Sequence, residues 1–453
     1  MATKKLRRST AIGRIVAATA TLGLVAGLAA CGGGSSDTAT STGGSGSPSA
    51  SDVTGDLNIL VSSADASDKA FGEVIDAFNA KYPNAKATLN SVPNDTYPTT
   101  KSAQLTAGKV DVFVVKTFRE MPDYAQDSVS EDVQLAQSGG LVDLTDQAFM
   151  KNYTQSVLDS QAIGGKQYAV PTGTSYVTGV YYNKKIFSDN GIEAPTTWSE
   201  LQAATEKLEK AGVTAFGIGG KDTWPAGLVM LGAVGSEYPT AADKQATIDG
   251  LWNQSVSLTS GKPLDVLKKT QWVFEHAQKN FSGAGYDDMP AAFARGEFAM
   301  LPDGTWNQPT IATAVNDQFE IGYFPFPGSD NAADNKYLNG KIELQLAVSA
   351  SSKNQAAALA FLDLFSQKDT YTKFVETSGF SSAQPDIDQS DFLNSIADQT
   401  SQFEPVWESL WIANPNAGDD ASFPFNYPAL KPLGSSDAAG AAAAAESAWT
   451  KAF

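Results

Sequence analysis

The strongest constraint on the fold is an alternation of strand-like and helix-like segments over residues 57–115. Residues 57–61 form a short apolar run of strand type, and the next segment carries apolar residues at helical spacing, namely Phe71, Val74, Ile75 and Phe78. The same reasoning predicts a strand near 87–89, a helix near 98–107 and a strand over 110–115. This β-α-β-α-β order predicts parallel strands with right-handed crossovers and helices on both faces.

The pattern resumes further along the chain. A strand is predicted at 180–182, and a helix is predicted to start after Thr197, because Thr197 and Glu200 have the spacing of a capping box. A helix at 290–294 leads into a strand at 298–301, and a last clear helix covers 355–365. The fold class is therefore α/β, with sheets flanked by helices.

Composition narrows the function. The 453 residues include 50 acidic and 32 basic residues, for a net charge of −18, which argues against binding to nucleic acid or anionic lipid. The hydrophobic fraction of 42% suffices for large cores, and the length predicts two to three domains. One histidine and one cysteine exclude a disulfide framework, a Cys-His nucleophile and most zinc sites, and no cofactor or metal is expected.

The N-terminal region is predicted to be a lipoprotein signal over residues 1–30. Basic residues precede an apolar run at 15–30 that is too short and too rich in Ala and Gly for a stable membrane span. Leu28-Ala29-Ala30-Cys31 resembles the lipobox of bacterial lipoproteins, which implies acylation of Cys31 at the outer face of the cell membrane. A buried free cysteine is the alternative. Residues 31–56 are predicted to be a flexible tether, with a reach of about 25–30 Å.

Three groups of motifs carry a resemblance to a family: residues 165–171 with 182–184 and 195–198, residues 292–300 with 303–306, and residues 347–354. Together they resemble the extracellular sugar-binding proteins of ABC importers. The resemblance implies a two-lobe, type II periplasmic-binding fold with ligand in the cleft, delivery to a membrane permease, and a monomer. It places the first lobe at 57–174 plus 321–343, and the second at 175–320 plus 344–453.

A sugar site requires aromatic rings against the C–H face of the sugar and charged or amide groups for its hydroxyls. Asp303-Gly304-Thr305-Trp306 follows a predicted strand and supplies both, although Trp306 could instead be a core residue. Trp224 lies in a predicted loop and is a second stacking candidate, with packing as its alternative. Trp407 and Trp411 are four residues apart, so they form either a core stripe or a binding platform.

The charged and tyrosine candidates follow from their positions. Asp65 follows the first strand and Lys116 and Arg119 follow the third, so all three are expected where ligands bind in open α/β sheets. Glu343 interrupts an apolar segment at 342–348, where a carboxylate requires a partner. The remaining candidates are Tyr97 and Tyr176; the resemblance places Tyr176 and Glu343 near hinge crossings.

The rival function is a lipid-anchored extracellular glycoside hydrolase, which needs only two suitably spaced carboxylates. No pair is singled out by the sequence. A calcium loop at 386–391 lacks the glycine and glutamate that such loops require. The predicted function is capture of an oligosaccharide by hinge closure, because candidate aromatics occur in both lobes.

Overall fold

The computed structural model of the protein describes residues 51–453. The predicted signal, Cys31 and most of the predicted tether fall within residues 1–50, outside the described part. The first strand begins at Gly55, two residues before the predicted start of the strand. Among residues 51–453, no helix combines the length and the apolar character needed to cross a membrane.

Eleven strands occur in the described part of the chain. They are β1 (Gly55–Ser62), β2 (Ala85–Val92), β3 (Val112–Val115), β4 (Ala169–Val170), β5 (Gly173–Tyr176), β6 (Gly179–Asn183), β7 (Met300–Pro302), β8 (Ile321–Pro325), β9 (Asn339–Glu343), β10 (Gln345–Val348) and β11 (Glu404–Pro405).

The α-helices of residues 51–453 surround these strands. They are α1 (Asp65–Lys81), α2 (Tyr97–Thr106), α3 (Glu131–Gln137), α4 (Gln155–Gln161), α5 (Lys184–Asp189), α6 (Trp198–Lys210), α7 (Trp224–Glu237), α8 (Ala241–Trp252), α9 (Gly261–Glu275), α10 (Met289–Ala294), α11 (Gln308–Val315), α12 (Gln355–Phe365), α13 (Lys368–Ser378), α14 (Asp391–Ser395), α15 (Ala397–Thr400), α16 (Trp407–Leu410) and α17 (Ala438–Lys451). Short 3-10 turns, among them Asp123–Ser128 and Thr305–Asn307, connect them.

The first sheet has the strand order β2-β1-β3-β10-β4. β1 pairs in parallel with both β2 and β3, which confirms the predicted β-α-β-α-β unit. β10 joins the sheet antiparallel to β3 and β4. Helices α12 and α13 pack against α1, where the Phe71 and Phe374 ring centroids lie 4.9 Å apart.

The second sheet is antiparallel, with the order β7-β6-β8. The prediction of parallel strands therefore applies to the first sheet and does not extend to this one. The predicted capping box at the start of α6 is present: the Thr197 hydroxyl accepts from the Glu200 backbone N–H, and the Glu200 carboxylate accepts from the Thr197 N–H.

A third sheet, β11-β9-β5, lies where the chain crosses between the other two. β5 connects β4 to β6, and β9 connects β8 to β10. The expected return segments are therefore corrected: β8 pairs with β6 of the second sheet over all five of its residues, and β10 pairs with β3 of the first. Residues 321–325 belong with the second lobe, and residues 345–378 with the first.

The buried apolar side chains form two large cores, one with the first sheet and one with the second, and a smaller cluster that includes Tyr181, Leu301 and Tyr323 of the second sheet. The first core contains Phe361 and Phe374 from the segment after β10, and the second contains Trp449 of α17. Two partly buried tryptophans, Trp252 and Trp306, pack against both cores. They therefore lie where the two lobes meet.

Candidate functional site

The loop that follows β7 holds a buried carboxylate at its centre. Asp303 is fully buried and accepts three hydrogen bonds, from the Gly304 N–H at 2.8 Å, the Asn307 amide at 2.7 Å and the Tyr286 hydroxyl at 3.1 Å. Burial raises the pKa of Asp303 to about 7, against the opposing effect of its three donors. Asp303 therefore organises this loop from below and is enclosed by protein.

Gly304 permits the indole of Trp306 to lie directly on the backbone. A Cβ at position 304 would be 1.9 Å from Cζ3 of Trp306, so any side chain there would displace the ring. The Gly304 carbonyl accepts a hydrogen bond from the Tyr181 hydroxyl at 3.0 Å. The Asp-Gly-x-Trp spacing is thus explained by the geometry of one turn.

Three aromatic side chains form a continuous group around this turn. The Trp306 and Trp224 ring centroids are 6.5 Å apart, and the Trp224 and Tyr286 centroids are 4.5 Å apart. The Trp306 indole N–H donates to the Tyr286 hydroxyl at 2.8 Å. Trp224 begins α7, and both indoles remain partly exposed. Tyr286 was not a sequence candidate; its only signal was an aromatic residue beside two aspartates in a loop.

The first lobe contributes Asp65 to the same place. Asp65 is exposed at the start of α1, and it lines a narrow crevice whose other walls include Tyr286, Asp287 and Trp306. Burial raises the pKa of Asp287, with a further contribution from the nearby charge of Asp65. The structure thus brings Asp65 and Trp306, two residues proposed separately from the sequence, to one crevice although they are far apart along the chain.

A compact ionic group lies on the other side of Trp306. Lys341 of β9 approaches Glu408 of α16 at 2.8 Å and Glu343 at 3.6 Å, and its ammonium is 5.8 Å from the Trp306 ring centre. Burial alone would lower the pKa of Lys341, but the two carboxylates outweigh it and raise that pKa. The partner that Glu343 requires is therefore Lys341, together with the Ser175 hydroxyl.

Lys116 adds a second cation near this group. Its ammonium contacts the Asn94 side chain and lies 4.9 Å from the Tyr97 ring centre. Burial, followed by repulsion from Lys341, lowers the pKa of Lys116 to about 8. The two lysines and the two glutamates balance in charge, so this wall can both donate to and accept from a polyhydroxylated ligand.

Tyr97 is corrected from a ligand candidate to a structural residue. It is fully buried, and its hydroxyl donates to the Val114 carbonyl at 2.7 Å and accepts from the Val114 N–H at 2.9 Å. It therefore holds α2 against β3. Tyr176 is also buried, and its backbone N–H donates to the Thr305 hydroxyl at 3.0 Å, which connects β5 to the turn that carries Trp306.

Arg119 reaches across to the second lobe, where its guanidinium donates to the Leu410 carbonyl at the end of α16. Burial lowers the pKa of Arg119. Arg119 therefore lies beside the cleft, and its guanidinium binds a backbone carbonyl of the opposite lobe.

The choice that the sequence left open for Trp407 and Trp411 is decided in favour of the core. Trp407 is fully buried, Trp411 is 5% exposed, and their rings stack with centroids 5.7 Å apart. Trp411 donates its indole N–H to the Ser422 carbonyl at 2.7 Å. The binding platform is therefore wrong for these two residues, and the member of α16 that faces Lys341 is Glu408.

Within residues 51–453, no group of three or more His, Cys, Asp or Glu side chains is arranged to hold a metal ion. His276 directly follows α9, and its ring nitrogen lies 2.6 Å from a Glu209 carboxylate oxygen. The assembled features are those of a site that stacks against rings and exchanges hydrogen bonds with polar groups.

Comparison with known families decides the classification. Residues 62–371 match the model of the bacterial extracellular solute-binding proteins. The chain belongs to this family.

Two characterised solute-binding proteins are similar to this chain over part of its length. The multiple sugar-binding protein of Streptococcus mutans is 27% identical over 320 residues, which cover 69% of this chain and 71% of that protein. The diacetylchitobiose binding protein DasA of Streptomyces coelicolor is 29% identical over 251 residues, 54% of this chain and 56% of that protein. The chain thus spans a little over half the length of the second relative.

Solved structures of solute-binding proteins share the fold. The solute-binding protein RafE in complex with raffinose has a TM-score of 0.71 at 22% identity, covering 87% of this chain and 99% of that chain. A sugar transporter from Bacillus licheniformis in complex with stachyose has a TM-score of 0.70 at 15% identity, covering 88% and 100%. These similarities confirm the two-lobe periplasmic-binding fold predicted from the sequence.

Proposed function

We propose that this solute-binding protein captures a sugar, and specifically an oligosaccharide. The observation that carries the proposal is the group formed by Trp224, Tyr286 and Trp306, which offers stacking faces beside carboxylates and a lysine. Aromatic faces match the C–H surfaces of a sugar ring, and charged side chains form strong hydrogen bonds with hydroxyls. The S. mutans relative is named for sugar binding, and the RafE structure contains raffinose.

The mechanism is closure of the two lobes over the ligand. Asp65 comes from the first lobe, Trp306 from the second, and Lys341 from the strand that crosses between them. A ligand that contacts all three gains interactions only when the lobes are close together. Because a ligand shifts such an equilibrium only through its differential affinity for the two states, these bridging contacts provide the driving force.

Delivery completes the proposed function. The protein acts as the receptor of an ABC importer, as a monomer held outside the cell membrane by a lipid on Cys31, and presents the closed lobes to a permease. The lipobox resemblance of residues 28–31 supports the anchor, and the family supports an extracellular position.

The protein is proposed to bind its sugar without cleaving it. Asp303 is enclosed and accepts three hydrogen bonds, and Glu343 and Glu408 are both paired with Lys341. A glycosidase requires one carboxyl that is free to donate a proton to the glycosidic oxygen and another that is free to act as base or nucleophile. These contacts oppose the hydrolase alternative for Asp303, Glu343 and Glu408.

The test is a titration of intrinsic tryptophan fluorescence, using the chain from residue 31 with Cys31→Ser. The probes are glucose, raffinose, stachyose and diacetylchitobiose, and each mixture is analysed for products. A saturable change with the oligosaccharide recovered intact is expected, with weaker binding of glucose. Cleaved sugar would establish the hydrolase. No change in fluorescence with any of the saccharides would contradict the proposal that the protein binds a sugar.

A further inference from the structure

A second bridge between the lobes lies apart from Trp306. Tyr124 is in the turn Asp123–Ser128 after β3, and its neighbours Met121 and Ala125 belong to the first core. Its hydroxyl donates to the Asp249 carboxylate at 3.0 Å and accepts from the Gln245 amide at 3.2 Å. Both partners are on α8, which packs into the second core.

The contact continues through Trp252 at the end of α8. The Tyr124 and Trp252 ring centroids are 5.3 Å apart, and Trp252 packs against both cores. The Trp252 indole N–H donates to the Ile412 carbonyl at 3.2 Å. Gln245 also donates to Asp249 at 2.8 Å, so the two partners of Tyr124 are held in place by each other.

The position of this bridge relates it to closure. Tyr124 follows β3 at the same edge of the sheet as Asp65 follows β1, because the two strands are parallel. Asp65 lines the crevice against Trp306, so this edge of the first lobe faces the second. Separation of the lobes would break the bonds of Tyr124 before it disturbed either core.

We propose that Tyr124 is a positioning residue for ligand capture, whose bonds to Asp249 and Gln245 stabilise the closed arrangement of the lobes even without ligand. Tyr124 is 42% exposed, so it contributes little to either core, and its loss should leave both lobes folded. A larger fraction of the ligand-free protein would then be closed, so less of the binding free energy would be used to close the lobes.

The experiment measures closure without any sugar, so its outcome is independent of the ligand proposed above. Spin labels are placed on exposed residues through Lys86→Cys on β2 and Lys210→Cys on α6, in the chain from residue 31 with Cys31→Ser, which has no other cysteine. Pulsed electron paramagnetic resonance then gives the distribution of distances between the two spin labels, one on each lobe. The variants are Tyr124→Phe, Asp249→Ala and their double, and the control is Tyr168→Phe, a tyrosine associated with the first core alone.

We expect two distances in the parent. Tyr124→Phe should lower the ratio of closed to open molecules about fivefold or more, since it removes the hydrogen bonds to both Asp249 and Gln245. Asp249→Ala should also lower this ratio. The effect of the double variant should be smaller than the product of the two single effects, because both single variants remove the same hydrogen bond between Tyr124 and Asp249. Tyr168→Phe should leave the distribution unchanged. A single open distance in the parent, or unchanged populations in Tyr124→Phe, would overturn the proposal.

Discussion

The indole N–H of Trp306 donates to the hydroxyl of Tyr286 at 2.8 Å, and that hydroxyl donates in turn to the buried carboxylate of Asp303. These two hydrogen bonds hold the Trp306 ring at its N–H edge, and the Gly304 backbone lies against the ring. A preorganised ring loses little freedom when a ligand stacks against it.

Replacement of this ring should weaken binding. Trp306→Ala is expected to raise the Kd for the oligosaccharide that gives the tightest titration by about tenfold or more, since central aromatic residues dominate such interfaces. The matched control is Trp198→Ala, which removes an indole that packs on the second core alone. That variant should lower the melting temperature while leaving Kd unchanged; equal effects of the two variants on Kd would assign Trp306 to packing.

The buried carboxylate predicts a pH dependence of stability. The pKa of Asp303 is about 7 in the folded protein, above its ordinary value, so the folded state keeps a proton that the unfolded state loses between about pH 4 and pH 7. The contribution of Asp303 to the free energy of unfolding should therefore be largest below pH 4 and fall by about 1.4 kcal/mol per unit as the pH rises to 7. Urea denaturation of the parent and of Asp303→Asn across this range should show the difference.

The control for that measurement is Asp330→Asn. A hydrogen bond from the Ser199 hydroxyl holds the pKa of Asp330 below its ordinary value, so its contribution is present above the ordinary pKa and is lost as the pH falls. The two variants should therefore change the pH profile in opposite directions. A profile of Asp303→Asn parallel to that of the parent would show that Asp303 stays ionised.

Removal of the Lys341 ammonium should destabilise the protein, because Glu343 and Glu408 both pair with it. Lys341→Met leaves Glu343 and Glu408 facing each other without a cation and should lower the free energy of unfolding by about 1–2 kcal/mol, a figure reduced for the 30% exposure of Lys341. Addition of Glu408→Gln should recover part of this loss. A double variant less stable than Lys341→Met would contradict the pairing.

The buried amine of Lys244 should be a destabilising feature. Lys244 is fully buried on α8 and its ammonium has no hydrogen-bond partner among residues 51–453; burial lowers its pKa to about 8. Below pH 8 the amine is protonated in both the folded and the unfolded protein, so the full cost of burying its charge lowers the free energy of unfolding. This cost decreases as the pH rises from 8 to the ordinary pKa of 10.5. Lys244→Met should therefore raise the free energy of unfolding at pH 7, by up to about 3 kcal/mol, and less at pH 10.

The lipid anchor has a direct test. Cys31→Ser in the full chain should move the protein from the membrane fraction to the soluble fraction, because the thiol is the proposed site of acylation. Metabolic labelling with a fatty acid should mark the parent and not the variant. A variant that still sediments with membranes would contradict the lipobox interpretation.

Local features of the fold were predictable from the sequence, because their causes lie within a few residues. The helix beginning after Thr197 follows from its capping box, and the helix α1 follows from the apolar spacing of Phe71, Val74, Ile75 and Phe78. The Asp303 to Trp306 turn was recognisable from a strand followed by a carboxylate, a glycine and an aromatic residue. Asp65 was recognisable because the carboxyl ends of parallel strands meet at one edge.

Features that depend on distant partners were not predictable. The spacing of Trp407 and Trp411 allowed either core or platform, and only the packing of α16 against the second core buries them and directs Glu408 to Lys341. Tyr97 is not a ligand-binding residue because it is buried and its hydroxyl is hydrogen-bonded to the backbone of Val114.

The sequence by itself determined the first β-α-β-α-β unit, several later strands and helices, the turn beneath Trp306 and the resemblance to the family, since periodicity, capping and motif spacing are local properties. The tertiary structure alone decided which strands pair after residue 320, which aromatic residues remain partly exposed, and how Tyr124 meets Asp249. The physical reason is that hydrogen-bond ladders and side-chain burial depend on contacts between residues far apart in the chain, and no local pattern specifies those partners.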